Sequence, residues 1–208
     1  MSITTYAELK TSIANWLNRS DLTSVIPDFI TLAESYLNNA LRVRQQMTRT
    51  TLSVDAEFED VPSDFLEVSH MHITSGGFNY NLGKTSQDTL ITNHGASASS
   101  RPTEFAVVGS QFQFGPTPDA TYSVDLTYYA KIAALSDSNT SNWLLAAQPE
   151  IYLYSSLLQA APFLHDDVRI GTWSTLLLEA VERLKGSDKR ALINSIPSSV
   201  SIRGVEVV

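Results

Sequence analysis

The sequence contains no cysteine, which excludes disulfides, thiolate catalysis and metal binding through sulfur. It also lacks a basic surplus, because 14 Lys and Arg residues stand against 22 Asp and Glu residues and the net charge is −8. Domains that read nucleic-acid sequence usually carry a basic surface, so this balance argues against that class. No apolar run approaches the roughly 20 residues that span a bilayer, and the first ten residues do not have the pattern of a secretory signal.

Charged side chains are scarce as well. They make up 17% of the sequence, against an average of about 25% for soluble domains. Ser, Thr, Asn and Gln are plentiful instead. A surface with so few charges favours contacts with other proteins.

The N-terminal segment has helical periodicity. Thr5-Tyr6-Ala7-Glu8 has the form of a capping box, in which a hydroxyl and a carboxylate satisfy free backbone N–H groups at a helix start. A second helix is predicted from about Ser24 to about Arg44, with Pro27 tolerated in its first turn. The short connection between the two helices predicts antiparallel packing.

Helical spacing returns near the C-terminus. Asn142 is a candidate cap for a short turn at 143–147, and Pro149 opens a helix whose end is disturbed by Pro162. A last helix follows, with Gly186 as its predicted stop.

Between these helical ends the apolar period changes towards two, which is typical of strands. Gly109-Ser110 is predicted to be a hairpin turn, and a short helix is predicted at 86–93. The strands are expected to form an antiparallel sheet and are predicted at 46–54, 67–73, 104–108, 111–114 and 122–130.

These patterns together predict an α+β fold. The N- and C-terminal helices form one bundle, an antiparallel β-rich region is inserted between them, and an extended tail follows. The expected divisions are an N-terminal helical pair at 1–45, the β-rich region at 46–140, a C-terminal helical pair at 141–190 and the tail at 191–208.

Two segments superficially resemble ligand sites. The segment 77–85 ends Gly-Lys-Thr, but its glycines are separated by one residue too many for a phosphate loop, and a hairpin loop is the better interpretation. His70 and His72 lie two apart in a predicted strand, where both rings could face a metal, but no third ligand is marked by spacing. We therefore expect no metal and no cofactor.

Catalytic arrangements are equally sparse. No G-x-S-x-G motif is present. His165-Asp166-Asp167 offers an acid/base group, but aspartates also favour a helix start. A carboxylate pair drawn from Asp60, Asp64 and Glu67 could cleave a glycoside, although the sequence gives no separation between them.

Arg42, Arg44 and Arg49 form the densest basic cluster of the sequence. Two interpretations stay open: these arginines are partners of a helix C-terminal dipole, or they contact a partner subunit or a nucleic-acid backbone. Trp16, Trp143 and Trp173 lie on apolar faces and are predicted to pack in the core.

The C-terminal tail alternates apolar and polar residues. This pattern suits addition as a strand to a neighbouring protein, with a simply disordered terminus as the alternative. Its apolar residues are Ile193, Ile196, Val200, Ile202, Val205 and Val207.

Whole segments of the chain resemble the head-to-tail adaptor (connector) proteins of short-tailed phages and related prophages. They are the opening TYAELKTSIANWLNRSDLTSVIPDFITLAESYLNNALRVR, then VPSDFLEV, then YSVDLTYYAKIAALSDSNTSNWLLAAQPEIYLYSSLLQAAPFLHDD and RIGTWSTLLLEAVERL. The resemblance is weakest over 75–101 and in the tail.

This resemblance implies a structural virion protein rather than an enzyme. It implies a dodecameric ring beneath the portal, with a channel for DNA ejection, a tail nozzle or fibre protein as the next component, and a C-terminal tail that reaches the portal. The implied location is the head-to-tail junction of the virion, after assembly in the cytoplasm of the bacterial host, with no membrane. The alternatives are a virion-associated cell-wall glycosidase and a generic soluble interaction module.

Overall fold

A computed structural model describes residues 3–95, 99–164 and 168–194, without the side chains of 192–194. The chain divides into two units. The helical unit comprises the described residues of Met1–Leu41 and Ala134–Val208, and the β unit comprises Arg42–Ala133. Both limits of the β unit fall a few residues before the expected ones. The α+β class is confirmed.

The elements follow one another in the order helices, strands and helices. The helices are α1 (Tyr6–Leu17), α2 (Ile26–Ala40), α3 (Gln87–His94), α4 (Trp143–Ala147), α5 (Pro149–Gln159), α6 (Ala161–Leu164) and α7 (Ile170–Asn194). The strands are β1 (Met47–Val54), β2 (Phe58–Asp60), β3 (Phe65–Ser75), β4 (Phe78–Asn81), β5 (Gly83–Lys84), β6 (Glu104–Val108), β7 (Gln111–Gly115) and β8 (Tyr122–Ala130).

Helix α5 lies at the centre of the helical unit. It packs against α1, α2 and α7, and residues on all of its sides are buried, among them Tyr152 and Ser156. A helix that is buried all round must be enclosed by other helices. The N- and C-terminal segments of the chain therefore share one helical core.

The predicted helix caps are confirmed. The Thr5 hydroxyl accepts a hydrogen bond from the Glu8 N–H at 3.3 Å, and the Glu8 carboxylate accepts one from the Thr5 N–H at 3.0 Å. Asn142 accepts from the Leu145 N–H at 2.9 Å. Asn18 ends α1 in the left-handed region at φ 55°, which Asn tolerates better than most residues.

Two predicted helix limits were wrong. Helix α2 ends at Ala40, and Arg44 belongs instead to a separate 3₁₀ turn, Arg44–Gln46. Helix α7 continues through Gly186 to Asn194, four residues into the predicted tail. A helical glycine costs only about 1 kcal/mol, and burial of the apolar side chains of Val181 and Leu184 in the preceding turns of α7 offsets this cost.

The β unit contains two four-stranded sheets. The first sheet has the order β1-β8-β3-β4 and is antiparallel throughout. The second sheet has the order β2-β7-β6-β5, in which β5 and β6 are parallel. The expectation of an antiparallel region is therefore wrong for that one pair.

A shared apolar core joins the two sheets. The inward side of β8 carries Val124, Leu126 and Tyr128, while Asp125 and Thr127 alternate with them on the outward side. Phe65 of the first sheet packs edge-on against Phe112 of the second at 5.4 Å. Because edge-to-face rings add attraction beyond area burial, this contact helps to hold the sheets together.

Tight turns and a close helix contact complete the β unit. Gly109 has φ +61° in the β6–β7 hairpin, which confirms the predicted turn. Helix α3 packs on β6 and β7. A Cβ at Gly115 would lie 2.7 Å from His94 Cδ2 and 2.8 Å from Leu90 Cδ1, so this approach requires glycine.

Candidate interaction surfaces

Arg42 and Arg49 of the basic cluster form ion pairs within the β unit. Arg42 Nε lies 3.0 Å from Glu67 on β3, and Arg49 lies 3.0 Å from Asp125 on β8. Arg44 is exposed in the 3₁₀ turn. The last turn of α2 contains no basic residue, so the helix-dipole interpretation has no support.

Asp125 is the centre of a polar network on the outward face of the first sheet. The Thr51 hydroxyl donates to Asp125 Oδ1 at 2.8 Å, and His72 Nε2 lies 3.3 Å from Asp125 Oδ2. The Thr51 hydrogen bond and the adjacent Arg49 guanidinium hold the pKa of Asp125 below its usual value. The network therefore favours the ionised form of Asp125, and the positive charge of Arg49 balances its negative charge.

His70 and His72 stand side by side, as the strand spacing predicts, with ring centroids 5.4 Å apart. His72 points one nitrogen at Asp125, while its buried Nδ1 has no hydrogen-bond partner among the described residues. No group of three or more His, Asp or Glu side chains suited to a metal occurs in the described part of the chain. The histidines are thus placed together as neighbours on a polar sheet face.

The three candidate carboxylates are engaged separately. Asp60 accepts from Gln111 at 2.9 Å, and Glu67 pairs with Arg42. Asp64 accepts from the Tyr128 hydroxyl at 2.8 Å, and burial together with this contact raises the pKa of Tyr128 to about 12. Since each carboxylate has its own structural partner, the geometry does not support a glycosidase pair.

The segment 77–85 does not form a phosphate loop. It contains β4 and β5, and Gly76 and Gly77 have φ of +58° and +80° in the turn that joins β3 to β4. A phosphate loop instead follows a buried strand and opens a helix. The hairpin interpretation is correct for β3 and β4, while β5 leaves the hairpin to join the second sheet.

A cavity of about 270 Å³ lies where α3 meets the second sheet. Leu90, Ile91 and Phe114 form much of its apolar wall. Its polar side is formed by Glu57 and by the buried Gln113, whose amide nitrogen donates to Glu57 Oε1 at 2.6 Å. No local sequence pattern indicates this cavity, because its lining residues come from three separate segments of the chain.

The helical unit has an exposed region that we call the uncharged face. It surrounds a groove of about 120 Å³ between α2, α5 and α7, with Tyr36 and Leu178 among its lining residues. Leu32 lies one turn before Tyr36 on α2 and is also exposed. Sequence periodicity identified the buried stripes of these helices and missed this exposed apolar surface.

Glu34 is the buried acid of the helical unit. Its Oε1 accepts from the Leu135 N–H at 2.7 Å and from the Tyr152 hydroxyl at 3.3 Å, and Asn142 donates to that hydroxyl at 2.7 Å. Burial raises the pKa of Glu34, although both hydrogen bonds to it oppose the shift. This network ties α2 to the chain that returns from the β unit.

The tryptophans differ in their surroundings. Trp173 is buried as predicted, and Trp143 is half-buried. The prediction was wrong for Trp16, which is 43% exposed. Its ring packs edge-on against Tyr154 at 5.8 Å, and this contact covers only part of its surface.

The proposed tail contacts lie almost entirely outside the described residues. Ile196, Val200, Ile202, Val205 and Val207 fall there, as do His165, Asp166 and Asp167. Ile193 belongs to α7, without a described side chain.

The first sheet has a polar face on which Arg49 neutralises Asp125, and the helical unit has an uncharged face with exposed apolar side chains. Surfaces depleted of charge are common where proteins contact other proteins. The model of the SU10 adaptor protein family matches residues 4–201, and the chain belongs to that family. A search of curated proteins found no match. The match supports a structural phage adaptor, and no described helix has the length and hydrophobicity to cross a membrane.

Proposed function

We propose that this chain is the head-to-tail adaptor of a phage virion. Copies form a twelvefold ring that joins the portal to a tail nozzle or fibre protein and leaves a channel for DNA. The observation that carries this proposal is the family match over 4–201, which extends across both units. The match therefore supports the same role for the helical unit and the β unit.

The portal contact is assigned to the C-terminal tail. Its apolar residues Ile193, Ile196, Val200, Ile202, Val205 and Val207 would be costly to leave in water, and burial against the portal removes that cost. Arg42, Arg44 and Arg49 are proposed as further contacts with the portal or a neighbouring subunit. Arg44 is exposed, and the Arg49 side chain keeps 66% of its surface accessible despite its ion pair.

The acidity of the chain suits a DNA channel. With a net charge of −8, each copy repels a phosphate backbone, and a ring of copies multiplies that repulsion. DNA would therefore pass without sequence-specific binding. Assembly takes place in the host cytoplasm, where each added copy contacts two neighbours and the portal at once.

The proposal is tested by mixing the purified chain with its portal and measuring mass by light scattering and ring symmetry by negative-stain imaging. We expect a twelvefold ring on the portal. A chain that leaves the portal unchanged at concentrations well above micromolar would refute the adaptor role.

The tail is tested separately by deleting 195–208, which leaves α7 intact. The deletion should abolish portal binding and leave the helical unit folded. Tryptophan fluorescence checks the folding, because Trp16, Trp143 and Trp173 all lie in the helical unit. A scrambled tail of the same composition is the matched control and should also fail to bind. Normal portal binding by the truncated chain would remove the tail from the proposal.

A further inference from the structure

The cavity between α3 and the second sheet has the size of a site for a small ligand. Its volume is about 270 Å³. Drug-sized ligands occupy pockets of roughly 300–1,000 Å³, whereas one water molecule takes about 30 Å³. The cavity is therefore too large for a single water molecule and suits one long side chain or a small organic molecule.

Gln113 brings an unpaired acceptor to the cavity wall. Gln113 and Gly115 lie two residues apart on β7, so both face the side of the strand on which Gly115 meets α3. Gln113 is only 4% exposed, and its Nε2 donates to Glu57. Because a carboxylate only accepts, the Gln113 nitrogen must face Glu57, and its Oε1 is left buried without a hydrogen-bond partner among the described residues. A buried acceptor in this state is costly until a donor reaches it.

Glu57 brings a negative charge to the same wall. Its contact with Gln113 is with a neutral amide, and no Lys or Arg is among the described lining residues. His94, which also lines the cavity, directs its Nε2 to Glu104 at 3.1 Å, where Asn93 donates as well. The half-buried Glu57 carboxylate is therefore suited to a cation, since hydrogen bonds between ionised groups are stronger than neutral ones.

The C-terminal end of α3 also favours a cation. His94 is the last residue of this helix and Gly95 is its C-cap, and both line the cavity. Carbonyl groups at a helix C-terminus carry partial negative charge. Leu90 and Ile91 of the same helix supply apolar surface, which suits methylene groups. The lining thus combines a negative region with an apolar wall.

We propose that this cavity binds an organic cation, an alkylguanidinium or alkylammonium group on a short apolar stem. The charged end lies at the Glu57 carboxylate and beside Gln113 Oε1, and the stem packs against Leu90 and Ile91. One guanidinium can approach both acceptors, because Glu57 and the Gln113 amide are in direct contact. A free amine and an Arg or Lys side chain of another protein share this chemistry.

The test is an NMR titration of the full chain, in which the backbone amide shifts of α3 and β7 are followed at constant ionic strength. The probes are n-butylguanidinium and n-butylammonium. Ligands this small are expected to bind with a dissociation constant of about 1 mM. The shifts should saturate and be confined to the cavity lining. Neutral n-butylurea and anionic butyrate should bind at least about tenfold more weakly.

Glu57→Gln tests the charge and keeps an oxygen that can accept from Gln113. It should weaken the binding of n-butylguanidinium at least about fivefold. Asp55→Asn is the matched control and should bind as wild type does. Asp55 is an exposed carboxylate two residues before Glu57 and is not among the lining residues. Amide spectra of both variants without ligand check that the β unit is folded.

N-acetylarginine N-methylamide distinguishes the two sources of the cation, because it carries the guanidinium on a peptide backbone. If it binds as tightly as n-butylguanidinium, the occupant is a side chain of another protein. If only the free cations bind, the occupant is a small amine.

The absence of saturable shifts at the lining residues up to about 50 mM cation would overturn the proposal. Equal binding of n-butylurea would also overturn it, and so would a Glu57→Gln variant that binds the cation as wild type does. None of these measurements involves the portal, so their failure leaves the adaptor role standing. A chain that binds the cation but never the portal would refute the proposed function and leave the cation site standing.

Discussion

Replacing Glu34 tests whether the buried acid stabilises the helical unit. Glu34→Ala removes the acceptor of two buried donors, the Leu135 N–H and the Tyr152 hydroxyl. An unsatisfied buried donor costs about 1–3 kcal/mol. Loss of the desolvated carboxylate offsets part of this, so we expect a decrease of about 2–4 kcal/mol in the free energy of unfolding at pH 7.

The assay is urea denaturation followed by tryptophan fluorescence, which reports on the helical unit because all three tryptophans lie there. Glu34→Gln is the matched variant, because it keeps an acceptor oxygen and should cost about 1 kcal/mol or less. If Glu34→Ala unfolds within about 0.5 kcal/mol of wild type, the network contributes no net stability and the reasoning is wrong.

A comparison of wild type with Glu34→Gln at different pH values tests the raised pKa of Glu34. Burial raises the pKa of Glu34 in the folded state, so the unfolded chain ionises first as the pH rises. Wild type should therefore lose stability relative to Glu34→Gln as the pH rises from below the usual glutamate value through the raised folded value. A difference that is constant from pH 4 to pH 8 would contradict the raised pKa.

Other substitutions test local features of the two units. Thr5→Ala should cost about 1 kcal/mol in the fluorescence assay by removing half of the capping box, and an unchanged midpoint would contradict that role. Gly115→Ala should lower the free energy of unfolding by about 1–3 kcal/mol, because the added Cβ pushes α3 away from β7. Gly186→Ala should instead stabilise α7 by about 0.5–1 kcal/mol, because a Cβ there meets nothing within 4 Å. Hydrogen exchange of α3 and α7 measures both effects, and equal effects would refute the packing argument. Asp125→Asn should destabilise the first sheet at neutral pH. The difference in stability between the variant and wild type should shrink as the pH falls through the lowered pKa of Asp125. Amide exchange on β8 measures this, and the absence of a pH dependence would count against the ion pairs.

Local signals determined the strongest sequence predictions. The capping box at Thr5, the hairpin turn at Gly109 and the strands at 104–108 and 122–130 were all correct, because each depends on neighbouring residues. The short strands β2, β4 and β5 were missed. With three, four and two residues they are too short for an alternation to be recognised.

Long-range contacts decided the features of the candidate surfaces. The sequence indicated an arginine cluster that includes Arg42 and Arg49, and separately a pair of histidines, His70 and His72. Strand pairing through β8 placed Arg49 and His72 around one carboxylate, that of Asp125. Nothing local to Asp125 indicates that role. A side chain's partners across a sheet depend on strand order, which apolar periodicity does not specify.

The sequence was sufficient to establish the α+β class, the exclusion of thiol chemistry, the acidity of the chain and its resemblance to phage adaptors. These follow from composition, periodicity and whole-segment patterns. The folded structure was needed to show that Glu34 is buried against Leu135, that Trp16 is exposed, and that Leu32, Tyr36 and Leu178 form one uncharged face. The physical reason is that helical periodicity predicts which side faces a core, whereas the packing partner decides how much of the remaining surface is left open to water.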